Sequence, residues 1–366
     1  MSRLRELFEQ HGQSPWLDNL RRDWIVDGTL AKWVDRGVRG VTSNPTIFQK
    51  AISGSSAYDE QFNDLVSGGA DATDAYWSLV TEDITAASRI LAPVHESSGG
   101  GDGFVSLEVA PDLARDTDST ITAATRLWNR IEAPNLMIKI PGTAEGIPAI
   151  RAAVAAGLNV NITLLFSVER YGEVIDAYFD GLEDRVAEGR NPALVRSVAS
   201  FFISRVDTEV DRRLAEVGSP DARALQGRAA VAQARAAYQL FRERFTGSRW
   251  SALAAMGARV QRPLWASTST KNPDYPETLY VDSLIGPDTV NTLPEDTLDA
   301  FDARGRLDRT IDANPAEAKR TLDELAQVGV DMADVARRLE DEGVAAFAKS
   351  FDELITVLTE KAAALT

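Results

Sequence analysis

Short apolar runs alternate with longer stretches of helical periodicity along most of the chain. The apolar runs predict eight β-strands, at residues 14–18, 39–44, 103–109, 135–141, 158–166, 195–203, 262–268 and 288–292. Between them, apolar residues recur every three or four positions, as they do in amphipathic helices. This alternation is typical of βα units built around a parallel sheet. Eight such units predict an α/β fold of the TIM (β/α)8 barrel type.

Two regions contain more helix than an even barrel needs. The first, at about residues 206–260, separates the sixth and seventh strands and predicts two or three inserted helices. The second, at about 294–366, is helical to its end, with Pro315 near a helix start and with Gly329 and Gly343 at helix breaks. No Pro/Gly/Ser-rich stretch is long enough to divide the chain. We therefore predict one barrel domain over residues 1–366, with a helical insertion and a helical C-terminal extension.

Polar residues lie late in several predicted strands, on the faces that period-two alternation separates from the apolar ones. Lys139 stands in the apolar run LMIKIP, opposite Leu136, Ile138 and Ile140, and Asn161 and Thr163 are predicted to lie opposite Val160, Ile162 and Leu164. Barrel enzymes keep their active sites at the C-terminal ends of the strands. The residues that should converge there are Asp18, Asn44, Glu108, Lys139, Asn161, Thr163 and Ser200.

Each of these residues also has a structural interpretation when taken alone. A single buried Asp, Glu or Lys is commonly part of an ion pair, and an Asn or Ser at a strand end is commonly a turn or cap residue. Convergence of seven polar residues at one mouth of the barrel nevertheless favours a functional site.

Lys139 is the residue of this cluster whose chemistry is most specific. Burial destabilises a charged ammonium and favours the free amine, which can attack a carbonyl group and form a Schiff base. Alternatively, Lys139 stays charged and pairs with Glu108 or Asp18. The two interpretations are compatible, because a carboxylate close to the amine also stabilises an iminium once it has formed. Imine chemistry also needs proton transfers. Because the chain has only two histidines, His11 and His95, and neither belongs to the cluster, carboxylates would have to perform them.

Composition narrows the possible ligands. The formal charge of −16 argues against nucleic acid as the main partner, so an anionic ligand would need a local cationic cluster. The chain has no cysteine, which excludes disulfides and thiolate chemistry, and two histidines do not make a multi-histidine zinc site. An all-carboxylate magnesium site stays open. The N-terminus lacks the apolar core of a signal peptide and no apolar run reaches membrane-spanning length, so we expect a cytoplasmic protein without membrane contact.

Six segments are similar to motifs of a known family and occur in the same order. They are GVTSNPTIFQKAI, SLEV, IKIPGT, NVNITLLFS, SFFISRVD and ASTSTKNP. On these segments the chain resembles the transaldolases of the class I Schiff-base aldolase superfamily, in particular the long bacterial form, along nearly its whole length.

The resemblance implies a role for each matching residue. Lys139 falls on the Schiff-base lysine and Asp18 on the acid/base aspartate, while Glu108 and Thr163 fall on the pair that positions a catalytic water. The residues that fall on substrate-binding positions are Asn44, Asn161, Ser200, Phe202, Arg205, Ser269 and Lys271. Of these, Ser200, Arg205 and Ser269 match the phosphate-binding group. Lys271 departs from the family, because many transaldolases have a second arginine there, and a lysine lacks the bidentate fork of arginine.

The function implied by the resemblance is transfer of a dihydroxyacetone unit in the pentose phosphate pathway, without a cofactor. The donor would be sedoheptulose 7-phosphate or fructose 6-phosphate, and the acceptor glyceraldehyde 3-phosphate or erythrose 4-phosphate. A fructose 6-phosphate aldolase is the nearest alternative, although those relatives have glutamine and tyrosine where Glu108 and Phe202 stand. A non-catalytic sugar-phosphate-binding barrel and a magnesium-dependent lyase using Asp18 and Glu108 are alternatives of other classes. A monomer and a homodimer both remain open.

Overall fold

Eight parallel strands close into a barrel in the computed structural model, which describes residues 2–364. Each strand pairs with the next one along the chain, and the last pairs with the first. The strands are β1 (Gln13–Leu17), β2 (Gly40–Thr42), β3 (Phe104–Glu108), β4 (Leu136–Pro141), β5 (Val160–Leu165), β6 (Ser197–Phe202), β7 (Gln261–Ala266) and β8 (Thr289–Leu293). Their ends lie within two residues of the predicted ones. The predicted barrel fold is confirmed.

Helices form a layer around the barrel. Within residues 2–364 they are α1 (Arg3–His11), α2 (Arg22–Val26), α3 (Thr29–Arg36), α4 (Pro45–Ser53), α5 (Asp59–Ser67), α6 (Ala72–Ser97), α7 (Thr117–Ile131), α8 (Gly146–Ala156), α9 (Val168–Ala187), α10 (Ser204–Val217), α11 (Pro220–Ala224), α12 (Ala229–Arg244), α13 (Ser248–Ala255), α14 (Leu279–Ser283), α15 (Glu295–Arg304), α16 (Pro315–Gln327) and α17 (Met332–Ala363). Four of them, α10 to α13, occupy the predicted insertion, so the expected number of two or three helices there is too low. Over the described range, none combines the length and apolar character that crossing a membrane requires.

Strand register places the polar residues of neighbouring strands side by side. Glu108 of β3 is the register partner of Lys139 on β4, and Lys139 is the partner of Asn161 on β5. The outward residues Leu136 and Ile138 are fully buried against the helical layer. Because partners in a parallel sheet lie at the same height in the barrel, Glu108, Lys139 and Asn161 form one layer of its interior.

The turn that follows β2, at the carboxyl end of the barrel, is stabilised by helix capping. Asn44 is the N-cap of α4, where its side-chain oxygen accepts a hydrogen bond from the backbone N–H of Ile47 at 2.9 Å. Pro45 occupies the first turn, where its missing N–H costs nothing and its fixed φ suits a helix. The strand therefore passes into the helix without a flexible loop.

Strand β5 departs from strict alternation near its end. Its register with β6 shifts between Ile162 and Leu165, and Leu164 has a left-handed backbone with φ of 59°. Left-handed backbone is uncommon for leucine and marks a local bulge. The prediction that Leu164 simply continues the outward face of β5 is therefore wrong, because the extra residue breaks the two-residue period.

The C-terminal extension ends in one long helix rather than two. The predicted break at Gly343 is wrong, because α17 continues through it from Met332 to Ala363. A Cβ atom at Gly343 would lie 2.9 Å from Cδ2 of Leu164 and 3.6 Å from Nη1 of Arg205. The glycine therefore permits close approach of α17 to the end of β5, at the usual cost of a glycine within a helix. The other predicted signals, a start at Pro315 and a break at Gly329, are confirmed.

Candidate active site

A cavity of about 80 Å³ lies at the carboxyl-terminal mouth of the barrel. Most of its lining comes from strand ends and from the turns that follow them. The lining residues are Asp18, Thr42, Asn44, Lys139, Thr163, Ser200, Phe202, Arg205, Ala266, Ser267, Thr292 and Phe347. The predicted residues Glu108 and Asn161 contact members of this lining, and Ser269 and Lys271 lie on the loop after β7. The structure thus brings the predicted set to one mouth of the barrel.

Lys139 is buried, with 5% of its surface exposed, and its amino group has two neighbours. Its Nζ lies 3.1 Å from Oε2 of Glu108 and donates a hydrogen bond to the backbone carbonyl of Ser43 at 3.0 Å. The carbonyl fixes the direction of the side chain, and the carboxylate lies close enough to exchange a proton with the amine. This arrangement allows direct proton transfer between the two side chains.

Glu108 is almost completely buried, with 4% of its surface exposed. Burial raises the pKa of its carboxyl group, and the neighbouring Lys139 opposes that rise. Apart from the ion pair with Lys139, its oxygens accept no hydrogen bond from residues 2–364, and the buried hydroxyl of Thr163 is likewise unpaired in this range. Unpaired buried oxygens are costly, so Glu108 and Thr163 are suited to bind a polar group such as a water.

Asp18 lies directly after β1 and is held by a chain of hydroxyl groups. Thr42 Oγ1 donates to Asp18 Oδ1 at 2.7 Å and lies 2.6 Å from Thr292 Oγ1. Burial raises the pKa of Asp18, while the hydrogen bond from Thr42 and the charge of Lys139 partly offset the rise. A carboxylate whose pKa is raised accepts a proton more readily than an exposed one.

Asn161 connects the interiors of three strands. Its amide nitrogen donates to Ser106 Oγ at 3.0 Å, and its amide oxygen accepts from Ser200 Oγ at 2.7 Å. The hydroxyl proton of Ser200 is therefore committed to Asn161. Ser200 lines the cavity, but in this structure its hydroxyl proton is used to orient Asn161 and is not directed at a ligand.

The cationic part of the site surrounds the first turn of α10. The Arg205 guanidinium carbon lies 5.3 Å from the ring centre of Phe202 and 5.9 Å from that of Phe347. Burial lowers its pKa, which the charges of Asp18 and Glu108 partly oppose. Among the described residues, no carboxylate lies within ion-pair distance of this guanidinium. Arg205 is thus a half-buried cation available to an anionic ligand.

Lys271 belongs to the same cationic part of the site. Its Nζ donates to Ser269 Oγ at 2.7 Å. Burial lowers the pKa of Lys271, and the positive charge of Arg205 lowers it further. The two cations therefore lie close enough to repel each other, which an anion between them would relieve.

Sequence reasoning missed several residues of the site. Phe347 lines the cavity from α17, and the only signal for it was the apolar periodicity of a helix nearly 150 residues beyond Arg205. No sequence signal points to the carbonyl of Ser43, since every residue has a backbone carbonyl. Thr292 and Ser267 could have been found by extending the period-two analysis to the ends of β7 and β8. Across residues 2–364, no three acidic or histidine side chains are grouped as a metal would require.

Comparison with known proteins gives a consistent result over nearly the whole chain. Residues 15–358 match the family model described as Transaldolase/Fructose-6-phosphate aldolase. The Transaldolase of Mycolicibacterium smegmatis is 51% identical over 346 residues, covering 94% of this chain and 93% of the relative. That of Parafrankia sp. is 51% identical, covering 96% and 95%, and that of Thermobifida fusca is 49% identical, covering 97% of both chains.

Proposed function

The chain belongs to the transaldolase/fructose-6-phosphate aldolase family of enzymes, and from that premise we propose that it transfers a dihydroxyacetone unit between sugar phosphates through a Schiff base on Lys139. The observation that carries the proposal is the buried amine of Lys139, 3.1 Å from the Glu108 carboxylate and facing a cavity with a free cation, Arg205. The donor would be a ketose phosphate such as sedoheptulose 7-phosphate or fructose 6-phosphate.

The first half of the reaction forms the imine. The neutral amine of Lys139 attacks C2 of the ketose, and a proton passes from nitrogen to the resulting alkoxide through Glu108 or a water that Glu108 and Thr163 bind. A second proton delivered by the same route converts the carbinolamine hydroxyl into water, which leaves as the iminium forms. The raised pKa of Glu108 supports this role, because the carboxyl group then holds a proton more readily than an exposed glutamate does.

The second half breaks the C3–C4 bond. Asp18 accepts the proton of the C4 hydroxyl, the C4 oxygen becomes the carbonyl of the departing aldose phosphate, and the electron pair of the broken bond passes into the iminium. The resulting enamine then attacks the aldehyde of an acceptor, and Asp18 returns the proton. Hydrolysis of the new imine frees the product ketose and restores Lys139.

Transfer rather than simple cleavage requires that the enamine is not protonated before the acceptor arrives. Phe202 lines the cavity and has no acidic proton to give, and Phe347 covers the same mouth from α17. These apolar rings support the transferase over the aldolase alternative. An assay with fructose 6-phosphate but no acceptor distinguishes the two, because rapid release of glyceraldehyde 3-phosphate would assign the chain to the aldolases.

Borohydride trapping tests the role of Lys139. Reduction in the presence of fructose 6-phosphate should add one sugar adduct per chain, located on Lys139 by peptide mapping, and activity should persist in a chelator. Lys139→Ala should lose both adduct and turnover while keeping the barrel's circular dichroism. Lys319→Ala, which removes an exposed lysine from α16, is the matched control and should keep both. An adduct that persists in Lys139→Ala would show that another lysine performs the chemistry.

A further inference from the structure

A second cavity, of about 560 Å³, lies at the opposite, amino-terminal mouth of the barrel. Its floor is formed by the side chains of Trp16, Phe104, Met137 and Val198, each at most 2% exposed. Trp16, on β1, precedes Asp18 by two positions, and Met137 precedes Lys139 by two positions on β4. The cavity therefore reaches into the barrel from below and ends beneath the layer that holds the candidate active site. Its volume falls within the range of roughly 300–1,000 Å³ that is usual for small-molecule sites.

Three arginines, Arg196, Arg259 and Arg262, line this cavity. The Arg196 guanidinium donates only to backbone carbonyls, of Gly100 at 2.7 Å and of Ala193 at 2.6 Å among others. Burial lowers its pKa, and the positive charge of Arg259 lowers it further, so the two guanidinium groups lie near each other. Arg259 is exposed, and its guanidinium forms no hydrogen bond or ion pair with another described residue.

The nearby carboxylates do not neutralise this pair of arginines. Asp102 is 1% exposed and already binds Arg39 at 2.8 Å, Arg262 at 3.5 Å and the indole N–H of Trp16 at 2.9 Å. Asp288 lines the cavity but lies beyond ion-pair distance of every described cation. A local excess of positive charge is notable in a chain of formal charge −16. Low-dielectric walls focus such a field on an anion that enters the cavity.

We propose that the amino-terminal cavity is a second binding site, for a small anion with an aromatic body. The flat body would pack against the more accessible apolar side chains of the lining, Phe8, Trp250 and Val260. The carboxylate, phosphate or sulfonate group would lie between Arg196 and Arg259. Planar guanidinium groups bind such oxyanions with directed, charge-assisted hydrogen bonds. This site is independent of the proposed transaldolase reaction, since none of its residues lines the catalytic cavity.

The test uses a fluorescent aromatic anion, 8-anilinonaphthalene-1-sulfonate, with the full chain and saturating fructose 6-phosphate to occupy the catalytic cavity. N-phenyl-1-naphthylamine has the same aromatic body without the charge. We expect one sulfonate probe per chain, and Arg259→Glu should weaken its binding by about tenfold or more because it reverses a charge beside the anion. The neutral probe should be insensitive to that substitution. Arg89→Glu reverses an exposed charge on α6, away from the cavity, and should change neither probe by more than about twofold.

A second pair of variants tests whether the probe binds in this cavity, by filling the cavity with a large side chain. Ala254→Trp fills the cavity from an exposed position on α13, whereas Ala252→Trp adds the same side chain to the same helix outside the lining. Ala254→Trp should abolish binding of the sulfonate probe, and Ala252→Trp should not. Equal binding by the wild type and Arg259→Glu, or by the two tryptophan variants, would overturn the proposal. Thermal unfolding of each variant confirms that it is folded.

Discussion

Lys139 looks out of place only along its own strand. Across the barrel it faces the carboxylate of Glu108 at 3.1 Å and the carbonyl of Ser43 at 3.0 Å. An isolated ammonium would be expensive at this depth, and an ion pair without function is often no better than apolar packing. A buried pair that faces a cavity, with unpaired oxygens beside it, is more readily explained by proton transfer than by stability.

Replacement of Asp18 should separate stability from activity. Burial raises the pKa of Asp18 in the folded chain above its ordinary value of 3.8, so the folded state favours the protonated form more than the unfolded chain does. The stability from this preference is complete below pH 3.8 and is lost as the pH rises through the raised folded-state pKa. Asp18→Asn, which cannot ionise, should therefore be more stable than the wild type at pH 8, while the two converge at acid pH.

Urea unfolding at pH 8 and at the lowest pH where both chains stay folded measures this effect. The same variant should lose turnover by roughly 10²–10⁴-fold, the usual contribution of a general base. Asp112→Asn removes an exposed carboxylate from the same barrel mouth and should change neither quantity. A stability difference that is equal at both pH values would show that ionisation of Asp18 is not its cause.

Arg205 and Lys271 should contribute unequally to phosphate binding. Arg205 is held between two aromatic rings and offers a planar fork, whereas Lys271 offers a point charge on the loop after β7. We expect Arg205→Gln to lower kcat/KM for fructose 6-phosphate by about 10–100-fold, as loss of a charged hydrogen bond does. Lys271→Ala should lose less, and Lys271→Arg should retain activity.

Unphosphorylated fructose provides the control for that series. Its weak turnover at high concentration should be nearly the same in wild type and Arg205→Gln, because fructose has no phosphate for Arg205 to bind. If Arg205→Gln lowers turnover of both sugars equally, Arg205 acts on the reacting carbons or on the fold, and not on the phosphate.

The helix α17 determines how the mouth of the barrel is closed. It places Phe347 in the cavity lining and brings Gly343 against Leu164 of the β5 bulge. Gly343→Ala should raise helix propensity by roughly 1 kcal/mol, but its new Cβ would lie 2.9 Å from Leu164 Cδ2. Overpacking costs about 1–3 kcal/mol, so we expect a net loss of unfolding free energy and reduced turnover as α17 shifts.

A double-mutant cycle measures that contact. Leu164→Ala alone removes buried volume and should destabilise the chain, but in the Gly343→Ala background it should cost less, because it also removes the clash. Additive changes in the free energy of unfolding would show that the two residues do not meet as the structure describes.

The catalytic mouth would have to open to admit the sugar phosphate that we propose as substrate. The catalytic cavity of about 80 Å³ is far below the roughly 300–1,000 Å³ usual for ligand sites. Since Phe347 belongs to this lining, movement of α17 away from α4 would enlarge it. The hydroxyl groups of Thr46 on α4 and Ser350 on α17 lie 2.8 Å apart and connect the two helices.

A disulfide at these two positions should restrain the opening. The chain has no cysteine of its own, so Thr46→Cys with Ser350→Cys can form only the intended bond within the chain. We expect the turnover rate of the oxidised double variant to be at least about tenfold lower than that of the wild type. Reductant should restore the rate, and each single variant should have near-normal activity. Full oxidation without any loss of turnover would show that substrate enters without this motion.

Much of the barrel and of its site could be predicted from local pattern. Lys139, Glu108, Asn161 and Thr163 were found because period two assigns each strand residue to a face, and parallel strands align their ends. The same reasoning failed at Leu164, because a bulge changes the period by one residue and depends on what packs against it. It failed at Gly343 because a glycine breaks an isolated helix but is tolerated where a neighbour needs close approach.

Local pattern was enough to predict the order of the strands, their inward polar residues and the motifs that place the chain in its family, because these depend on neighbours a few positions apart. The packing of the folded chain was needed to show that Phe347 lines the mouth, that the Ser43 carbonyl orients Lys139, and that two arginines without carboxylate partners line the amino-terminal cavity. Such contacts join residues that are distant along the chain. They depend on the packing of whole elements, which local periodicity does not encode.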